Sequence, residues 1–403
     1  MTGRVSDEGP PNRATVMSDG SGAAVESITD SGSGERPAFS EDDRRWMARA
    51  LALAERGLCT TTPNPRVGCV IVSARRIIGE GWHVRAGEAH AEAAALADAR
   101  AQGHAVRGAT LYVTLEPCNR HGRTPPCADA VLDAGITRVV AAMRDPNPAQ
   151  ADGALRLRAA DVRVDIGLLE REAADLNVGF ISRMTRGMPW VRCKIAATLD
   201  GRTALANGES RWITGAAART DGHAWRARAC AIVTGVGTVL HDDPQLTVRD
   251  VPTTRQPLRV VVDRAADTPP AARVLADGNA LLVTAGAVNE RWPSSVATLA
   301  LPNADGRVDL VAMMRELARR GINEVHVEAG ARLNGALIRA GLVDELVVYL
   351  AGSIIGDPAR GMVEFSAPLE SLAARVPLEL MSVDRIGADV RIVARVRAAS
   401  AAH

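Results

Sequence analysis

The sequence predicts an α/β protein built from two domains. The chain has 403 residues, 47% of them hydrophobic, which is enough for two separate cores. Apolar, strand-like runs alternate with helical stretches in both halves, a pattern typical of sheets covered by helices. A Gly-Met-Pro sequence at residues 187–189 interrupts this alternation. We therefore expect a disordered extension at residues 1–38, a first domain at residues 39–186 and a second domain at residues 187–403.

Capping and periodicity signals define the elements of the first domain. The preceding extension is rich in Gly, Ser, Asp and Pro and has no apolar period, which is typical of disorder. Order is predicted to begin near Ser40, which can cap a helix that has acidic residues in its first turn and stops at Gly57. The predicted elements that follow are strands at 67–72 and 77–83, a helix ending at Gly103, a strand at 109–117, a helix at 127–136, a strand at 138–146 and a helix at 168–186.

The second domain is predicted to contain its own sheet, with helices between several of the strands. Its strand-like runs are residues 191–200, 229–237, 258–264, 280–286, 324–330 and 345–352. No internal repeat relates the two halves of the chain. We therefore expect two different active sites and not a duplicated one.

Composition argues against several classes of function. A net charge of +1 and an aromatic content of 3% are unlike a nucleic-acid-binding protein, which needs a basic surface or interleaved aromatic residues. No apolar run approaches the roughly 20 residues that span a bilayer, and the N-terminus lacks the signal-peptide pattern. We expect a cytoplasmic protein with no nucleic-acid or membrane partner. Its six cysteines are then core residues, metal ligands or nucleophiles and not a disulfide framework.

The most specific pattern in the chain is a set of zinc ligands. His90, Cys118 and Cys127 supply one imidazole and two thiolates, which are three of the four corners of a tetrahedral zinc site. If water takes the fourth corner, zinc lowers the pKa of that water toward neutrality and the site is catalytic. Glu92, two residues after His90, is then predicted to carry protons between the water and a departing amine. The pattern predicts a hydrolytic deaminase.

The cysteine spacing departs from the usual H-x-E and P-C-x-x-C deaminase pattern, because eight residues separate Cys118 from Cys127. The inserted loop contains His-Gly-Arg-Thr at residues 121–124, the donors that a sugar phosphate would need. The alternatives are a closed structural zinc site or no metal. A closed site would need a fourth soft ligand, and the nearby cysteine is Cys69, whose alternating place in an apolar run favours a buried strand residue. We favour the catalytic interpretation.

Several features of the second domain point to binding. Residues 330–335, GARLNG, lie between a strand and a helix, where backbone N–H groups can hold a phosphate, although an ordinary turn has the same composition. Gly235-Val-Gly237 partly resembles a dinucleotide fingerprint but lacks its third glycine. Lys194 is the single lysine among 48 basic residues, so either an ammonium is required there or the lysine persists by chance. Other polar residues at strand ends or in loops, where binding groups concentrate, are Asp200, Arg226, Asp242, Arg249 and Glu328.

Segments throughout the chain resemble one enzyme family. TTPNPRVGCVIV, HAEAAAL and TLEPCNRHGRTPPC in the first domain, and KIAATLDGRTA, GESRWIT, GTVLHDDPQLTVR and VEAGARLNGALIRAGLVDELVVY in the second, are similar to the bifunctional bacterial riboflavin-biosynthesis deaminase/reductase family. The resemblance extends from about Ser40 to the last strand, and the long cysteine loop is specific to it. It implies a cytidine-deaminase-like α/β/α layer fold for the first domain and a dihydrofolate-reductase-like α/β fold for the second.

The resemblance also implies two successive reactions. The first is hydrolytic deamination of 2,5-diamino-6-(5-phosphoribosylamino)pyrimidin-4-one, and the second is NADPH-dependent reduction of the ribosyl C1′ carbonyl to a ribityl chain. For the first reaction the resemblance implies Zn²⁺ on His90, Cys118 and Cys127, Glu92 as proton donor, and Asn64 near the substrate ring. Asn119 and Arg120 fall at variable loop positions. The preference for NADPH and a homo-oligomeric state are implied only by the resemblance.

For the reductase reaction the resemblance implies contacts residue by residue. The implied NADP contacts are Ala196, Trp212, Thr238, Asp242, Gly330, Ala331, Arg332, Leu333, Asn334, Gly335 and Ala336. The implied substrate contacts are Ser210, Arg226, Leu246, Arg249 and Glu328, with Arg226 and Arg249 as a clamp on the ribose phosphate. Lys194 falls within the first of these motifs, and we hypothesise that it polarises or protonates the developing alkoxide at C1′. No role is predicted for Arg264.

Two alternatives have different consequences. One is a zinc deaminase that acts on another nucleoside or on an RNA base and has a non-catalytic, binding second domain; retention of RNA at low salt would favour it. The other is a zinc-stabilised binding module without catalysis. Chelation separates the second alternative from an enzyme, because a structural site loses the fold on metal removal whereas a catalytic site loses turnover first.

Overall fold

Two separate β-sheets organise the chain. The structure is a computed structural model that describes residues 39–397, except 122–124, 288–290 and 357. The predicted disordered extension at residues 1–38 and the Gly-Arg-Thr part of the cysteine loop, residues 122–124, lie outside the described residues. Within the described residues there is one sheet of five strands, one of nine and a two-stranded ribbon. The predicted α/β class is confirmed.

The five-stranded sheet belongs to the first half of the chain. The elements there are α1 (Glu41–Glu55), β1 (Gly68–Ser73), β2 (Arg76–Trp82), α2 (Ala91–Ala101), β3 (Thr110–Val113), α3 (Cys127–Asp133), β4 (Arg138–Ala141), α4 (Gly153–Ala159), β5 (Arg163–Ile166), α5 (Glu170–Leu176) and α6 (Val178–Arg186). The strand order is β2-β1-β3-β4-β5. Strand β1 is antiparallel to β2 and β3, whereas β3, β4 and β5 are parallel. The ends of β3 and β4 therefore meet at one edge.

The nine-stranded sheet belongs to the second half. The elements there are β6 (Trp190–Thr198), β7 (Arg202–Ala204), α7 (Ala216–Arg228), β8 (Ala231–Gly235), α8 (Val236–Asp242), β9 (Leu258–Val262), β10 (Ala280–Thr284), β11 (Ala297–Ala300), α9 (Leu310–Arg319), β12 (Glu324–Val327), α10 (Ala331–Arg339), β13 (Glu345–Ala351), β14 (Arg360–Gly361), β15 (Leu378–Ile386) and β16 (Asp389–Val396). Short 3₁₀ helices lie at Arg273–Leu275 and Leu372–Ala374.

The pairing in this sheet is parallel until its last two strands. The order is β11-β10-β9-β8-β12-β6-β13-β16-β15, and only the β13-β16-β15 pairs are antiparallel. The ribbon pairs β7 with β14. Among the residues that the structure describes, no helix combines the length and the apolar character needed to cross a bilayer.

Helix α1 begins where the sequence predicts. The hydroxyl of Ser40 accepts a hydrogen bond from the backbone N–H of Asp43 at 3.1 Å, and the Asp43 carboxylate accepts one from the N–H of Ser40 at 2.9 Å. This reciprocal pair is a capping box, which satisfies two N–H groups that the first turn leaves unpaired. The buried residues Trp46, Met47 and Ala50 then face the sheet. The predicted cap at Ser40 is confirmed.

The helix predicted at residues 168–186 is instead two helices, α5 and α6, which break at Asn177. The side chain of Asn177 is buried; its Oδ1 accepts from the N–H of Arg66 at 2.8 Å, and its Nδ2 donates to the carbonyl of Arg66 at 2.9 Å. Asn177 thus replaces a strand partner for the backbone just before β1. The prediction of one continuous helix is wrong, because a contact between residues 111 positions apart redirects the chain.

Candidate active sites

The predicted zinc ligands lie at the ends of three elements of the first domain. His90 is the residue before α2 and has an extended backbone, Cys118 lies in the loop after β3, and Cys127 is the first residue of α3. The backbone N–H of Cys127 donates to Sγ of Cys118 at 3.3 Å, and the N–H of Ala128 donates to the carbonyl of Cys118 at 3.1 Å. The start of α3 therefore holds the two cysteines together.

The three ligand atoms lie at distances that suit one zinc ion. Nδ1 of His90 is 3.3 Å from Sγ of Cys127 and 3.6 Å from Sγ of Cys118, and all three atoms lie within 4.8 Å of one another. Tetrahedral zinc with bonds of about 2.0 Å to nitrogen and 2.3 Å to sulfur places these atoms about 3.6 Å apart. One imidazole and two thiols are also ligands that zinc favours. The residues present therefore fit zinc.

The environment of this site lowers the pKa of one thiol and raises the pKa of one carboxyl. A hydrogen bond from the side chain of Cys127 lowers the pKa of the Cys118 thiol well below its ordinary value, and a second from His90 acts in the same direction against the effect of burial. Glu92 lies in the first turn of α2 and is 3% exposed, and burial raises the pKa of its carboxyl to about 7. A carboxyl in this range can both accept and release a proton near neutral pH.

Asn64 reaches the same site through a histidine. Its Nδ2 lies 3.0 Å from Nε2 of His83, and Nδ1 of His83 lies 3.0 Å from the carbonyl of Ala89. Because a carbonyl can only accept, Nδ1 carries the proton and Nε2 accepts from the Asn64 amide. Burial lowers the pKa of His83, which favours this neutral form. The rings of His83 and His90 pack edge to face with centroids 5.3 Å apart, so Asn64 lies close to the predicted zinc ligands.

Cys69 is not part of the ligand group formed by the described residues. It lies inside β1, fully buried, as its alternating position in the sequence indicated. Burial raises the pKa of its thiol well above the ordinary value, which disfavours the thiolate that a metal requires. The described part of the site thus offers three protein ligands, the number typical of catalytic zinc.

Two carboxyls that the sequence analysis did not single out lie beside this site. Glu116, after β3, accepts from the N–H groups of Asp145 at 3.2 Å and Ala154 at 2.8 Å, and so fixes the loop that follows β4. Burial raises the pKa of Asp145 to about 6, and the charges of His90 and Cys118 also act on it. Glu116 and Asp145 follow the adjacent parallel strands β3 and β4, and this could have indicated that they lie together, because such strand ends meet at one edge of the sheet.

The second half of the chain contains a cavity of about 1480 Å³. This volume exceeds the roughly 300–1000 Å³ of pockets for a single small ligand, so two ligands can share it. Lys194 and every predicted cofactor or substrate residue of this domain line the cavity, except for three. These lining residues are Lys194, Ala196, Ser210, Trp212, Arg226, Thr238, Asp242, Leu246, Arg249, Glu328, Gly330, Ala331, Arg332 and Leu333.

The three exceptions are Asn334, Gly335 and Ala336, which do not line the cavity. Asn334 is buried and donates Nδ2 to the carbonyl of Met362 at 3.1 Å. A side chain on Gly335 would collide with the carbonyl of Glu364. The first turn of α10 faces the cavity; because the helix completes a turn every 3.6 residues, Asn334 and Gly335 turn into the protein, and Ala336 is exposed away from the cavity. Asn334 and Gly335 therefore pack α10 in place behind the cavity.

Arg226 and Glu328 form a bidentate ion pair in the cavity wall. Nε of Arg226 lies 2.5 Å from Oε1 of Glu328 and Nη2 lies 2.8 Å from Oε2, while Nη1 donates to the carbonyl of Thr247 at 3.1 Å. Although burial opposes ionisation of Glu328, Arg226 holds the pKa of that carboxyl well below its ordinary value, and Lys194 acts in the same direction. Burial lowers the pKa of Lys194 itself, and Glu328 opposes that shift.

Several basic residues of the cavity were not predicted from the sequence. His223 is 6% exposed and accepts from the N–H of Arg249 at 3.0 Å through Nδ1, which holds Arg249 at the wall. Further arginines that line the cavity are Arg202, Arg211, Arg219, Arg273 and Arg360. In a chain with so many arginines, residue type could not indicate which of them line the cavity, because that depends on the fold. The concentration of positive charge suits phosphorylated ligands.

Comparisons with known sequences assign both halves of the chain. The profile of the cytidine and deoxycytidylate deaminase zinc-binding region matches residues 40–143, and that of the RibD C-terminal domain matches residues 189–392. The riboflavin biosynthesis protein RibD of Escherichia coli is 48% identical over 362 residues, which cover 86% of this chain and 98% of that protein. The chain belongs to the RibD family. The RibD protein of Haemophilus influenzae is 42% identical over 370 residues, covering 88% and 97% of the two chains.

Solved structures of the RibD family have the same two-domain fold. RibD from Acinetobacter baumannii has 42% identity and a TM-score of 0.82, and the match covers 89% of this chain and 99% of that one. The Thermotoga maritima diaminohydroxyphosphoribosylaminopyrimidine deaminase/5-amino-6-(5-phosphoribosylamino)uracil reductase has 34% identity and a TM-score of 0.81, covering 88% and 99%.

The RibD assignment determines the class of reaction. The protein is a bifunctional enzyme of riboflavin biosynthesis, with a deaminase domain of the zinc-binding class followed by a reductase domain. The predicted family and both predicted activities are confirmed. The alternative of a deaminase for another nucleoside or RNA base with a non-catalytic second domain is not favoured.

Proposed function

We propose that the enzyme deaminates 2,5-diamino-6-(5-phosphoribosylamino)pyrimidin-4-one in its first domain and then reduces the ribosyl C1′ carbonyl of the product with NADPH in its second. The name of the Thermotoga maritima relative contains both a deaminase and a reductase activity with these substrates, which supports this pair of reactions. The observation that carries the deaminase half is the position of buried Glu92, which hydrogen-bonds Cys127 of the His90, Cys118 and Cys127 ligand group. The observation that carries the reductase half is a large cavity that contains the only lysine of the chain.

In the deaminase site His90, Cys118 and Cys127 would hold Zn²⁺, which supplies Lewis acidity for activating water near neutral pH. Glu92 takes up a proton and delivers it to the departing amine, since its side chain is buried beside Cys127 and both protonation states are accessible. Asn64, oriented by His83, hydrogen-bonds the substrate ring. Different residues thus bind the substrate ring, transfer the proton and bind the metal.

In the reductase site NADPH supplies a hydride to C1′, and the chain must supply the proton that converts the carbonyl oxygen into a hydroxyl. Lys194 is the proton donor in this proposal, because its ammonium lies in a half-buried strand position facing the cavity. Ala196, Trp212, Thr238, Asp242 and the first turn of α10 bind the cofactor. That turn is the N-terminus of α10 and lines the cavity, and a helix N-terminus favours a phosphate group.

The two predicted phosphate ligands have different roles in this proposal. Three of the five N–H groups of Arg226 are already bonded to Glu328 and Thr247, so Arg226 mainly fixes Glu328 against the substrate. Among the described residues, the guanidinium of Arg249 bonds only to Thr247, through Nη1, and so keeps most of its donors. We assign the ribose phosphate to Arg249, with Ser210 and Leu246 beside it in the cavity wall.

A coupled assay with the diaminopyrimidine ribotide tests the proposed function. We expect one ammonia released and one NADPH oxidised per substrate consumed. Removal of zinc with a chelator should abolish ammonia release while NADPH oxidation with the deaminated intermediate and the far-UV circular dichroism spectrum stay unchanged. Loss of the fold together with ammonia release would instead indicate a structural metal, and failure to turn over this ribotide would contradict the substrate assignment.

We also propose that the enzyme is a homo-oligomer that uses β15, the strand at the edge of the large sheet. Leu378, Leu380 and Val383 on this strand are 43%, 65% and 60% exposed. An apolar edge strand is a template for pairing with a second copy. The double variant Leu380→Glu, Val383→Glu should lower the mass measured by light scattering to that of one chain; an unchanged mass would refute this interface.

The need for reduced thiols at Cys118 and Cys127 supports a cytoplasmic location, which cell fractionation can test.

A further inference from the structure

The segment between α1 and β1 carries Asn64, and residues 59–66 are here called the Asn64 loop. By sequence this loop belongs to the deaminase domain. Its backbone carbonyl at Pro63, immediately before Asn64, nevertheless accepts two hydrogen bonds from outside the first sheet. Nδ2 of Asn323 donates to it at 3.2 Å and Nη2 of Arg183 donates at 2.9 Å. Asn323 is the residue that precedes β12 of the reductase domain, and Arg183 is on α6.

The orientation of the Asn323 amide is fixed. Its Oδ1 accepts from Nε of Arg183 at 2.6 Å, which leaves Nδ2 directed at the Pro63 carbonyl. Asn323 is 3% exposed, which shields its amide from water. Since a peptide unit is planar, holding the Pro63 carbonyl also holds the N–H of Asn64, which donates to the Thr61 carbonyl at 2.9 Å.

Both ends of the Asn64 loop have further contacts with the reductase domain. Nε of Arg255 donates to the carbonyl of Cys59 at 2.6 Å. At the other end, Nη1 of Arg66 lies 2.6 Å from Oε1 of Glu324, and both side chains are buried. The loop is therefore attached to the reductase domain at its beginning, its middle and its end.

We propose that the reductase domain positions the Asn64 loop for deamination, with its own Asn323 and, from α6 of the first domain, Arg183 as positioning residues that act through the Pro63–Asn64 peptide. The inference rests on the proposed role of Asn64 at the substrate ring. A displacement of about 1 Å at a binding group can lower a rate by as much as about 100-fold, so a small shift of this peptide affects the deaminase reaction. One catalytic domain thereby completes the active site of the other.

The test uses full-length enzyme and an isosteric change. Asn323→Asp keeps the acceptor for Arg183 and removes the donor to Pro63, and Arg183→Met removes the second donor. We expect kcat/KM for deamination to fall about threefold in each single variant and about tenfold in the double variant, chiefly through KM. Zinc content and the kinetic constants for NADPH-dependent reduction should be unchanged. Asn279→Asp is the matched control, because Asn279 donates Nδ2 to the Pro257 carbonyl inside the reductase domain.

A double-mutant cycle with Asn64→Ala distinguishes positioning from general stabilisation. If the two residues act through Asn64, adding Asn323→Asp to Asn64→Ala should change the deaminase KM by less than twofold, since the effects are then not additive. Full additivity, an unchanged deaminase KM in the Asn323→Asp, Arg183→Met double variant, or a parallel loss of both activities would overturn the inference. If Asn64→Ala itself leaves the deaminase KM unchanged, the proposed role of Asn64 fails, and this inference fails with it.

Discussion

Glu92→Gln should abolish ammonia release, with kcat lowered by about 10²–10⁴-fold, while zinc binding and NADPH oxidation persist. The substitution keeps the size and the hydrogen-bonding capacity of a side chain that is 3% exposed, so the fold has no reason to change. What it removes is the group able to take up and release a proton beside the ligand set. Ammonia production by coupled assay, zinc content by mass spectrometry and reductase turnover with the deaminated intermediate measure the three quantities separately.

The control for this prediction is Glu88→Gln. Glu88 lies two residues before His90, as Glu92 lies two residues after it, but Glu88 is exposed. The same change of charge at the same sequence distance from His90 should alter deaminase kcat by less than about twofold, as is usual for a solvated surface group. Equal losses in the two variants would assign the effect to net charge near the site and would remove Glu92 from the proposed mechanism.

The deaminase site was predictable because its signal is local. His90 and Glu92 are neighbours in sequence, and the cysteines lie on the loop and helix that return to them, so residue type and spacing already limit the chemistry to a few metals. The same is true of the Ser40 cap, where all partners lie within three residues. Patterns of this kind need no knowledge of which distant strands pair.

The remaining features depend on contacts that residue patterns do not encode. Arg226 and Glu328 pair across 102 positions, and Asn177 breaks a helix to bind backbone 111 positions away. Strand β15 escaped prediction because its residues are mostly exposed and have no clear apolar alternation. Family resemblance identified the cavity residues, yet it could not show that Asn334 and Gly335 lie behind the wall, since that depends on the rotational position of α10.

Lys194→Arg should lower the kcat of reduction by about 10²–10⁴-fold and leave ammonia release unchanged. Lys194 lies within β6, with Nζ 5.6 Å from the centre of the Tyr349 ring, and it faces the cavity. A guanidinium is wider than an ammonium, and it does not release a proton at accessible pH. Charge is conserved in this variant, so a loss of turnover reports on proton donation and shape. Stopped-flow measurement of NADPH oxidation with the deaminated intermediate gives kcat directly.

The pH dependence of reduction adds an independent criterion for Lys194. Because burial lowers the pKa of this ammonium, the protonated donor is lost at a pH below the usual lysine value of about 10.4. The kcat of the native enzyme should therefore fall as pH rises through that lowered pKa, and the fall should disappear in Lys194→Met. The control is Arg264→Lys, the reverse substitution at an exposed position outside the cavity, which should preserve both kcat and the alkaline limb. If Lys194→Met retains the alkaline limb, another group donates the proton, and Lys194 serves only to bind the substrate oxygen.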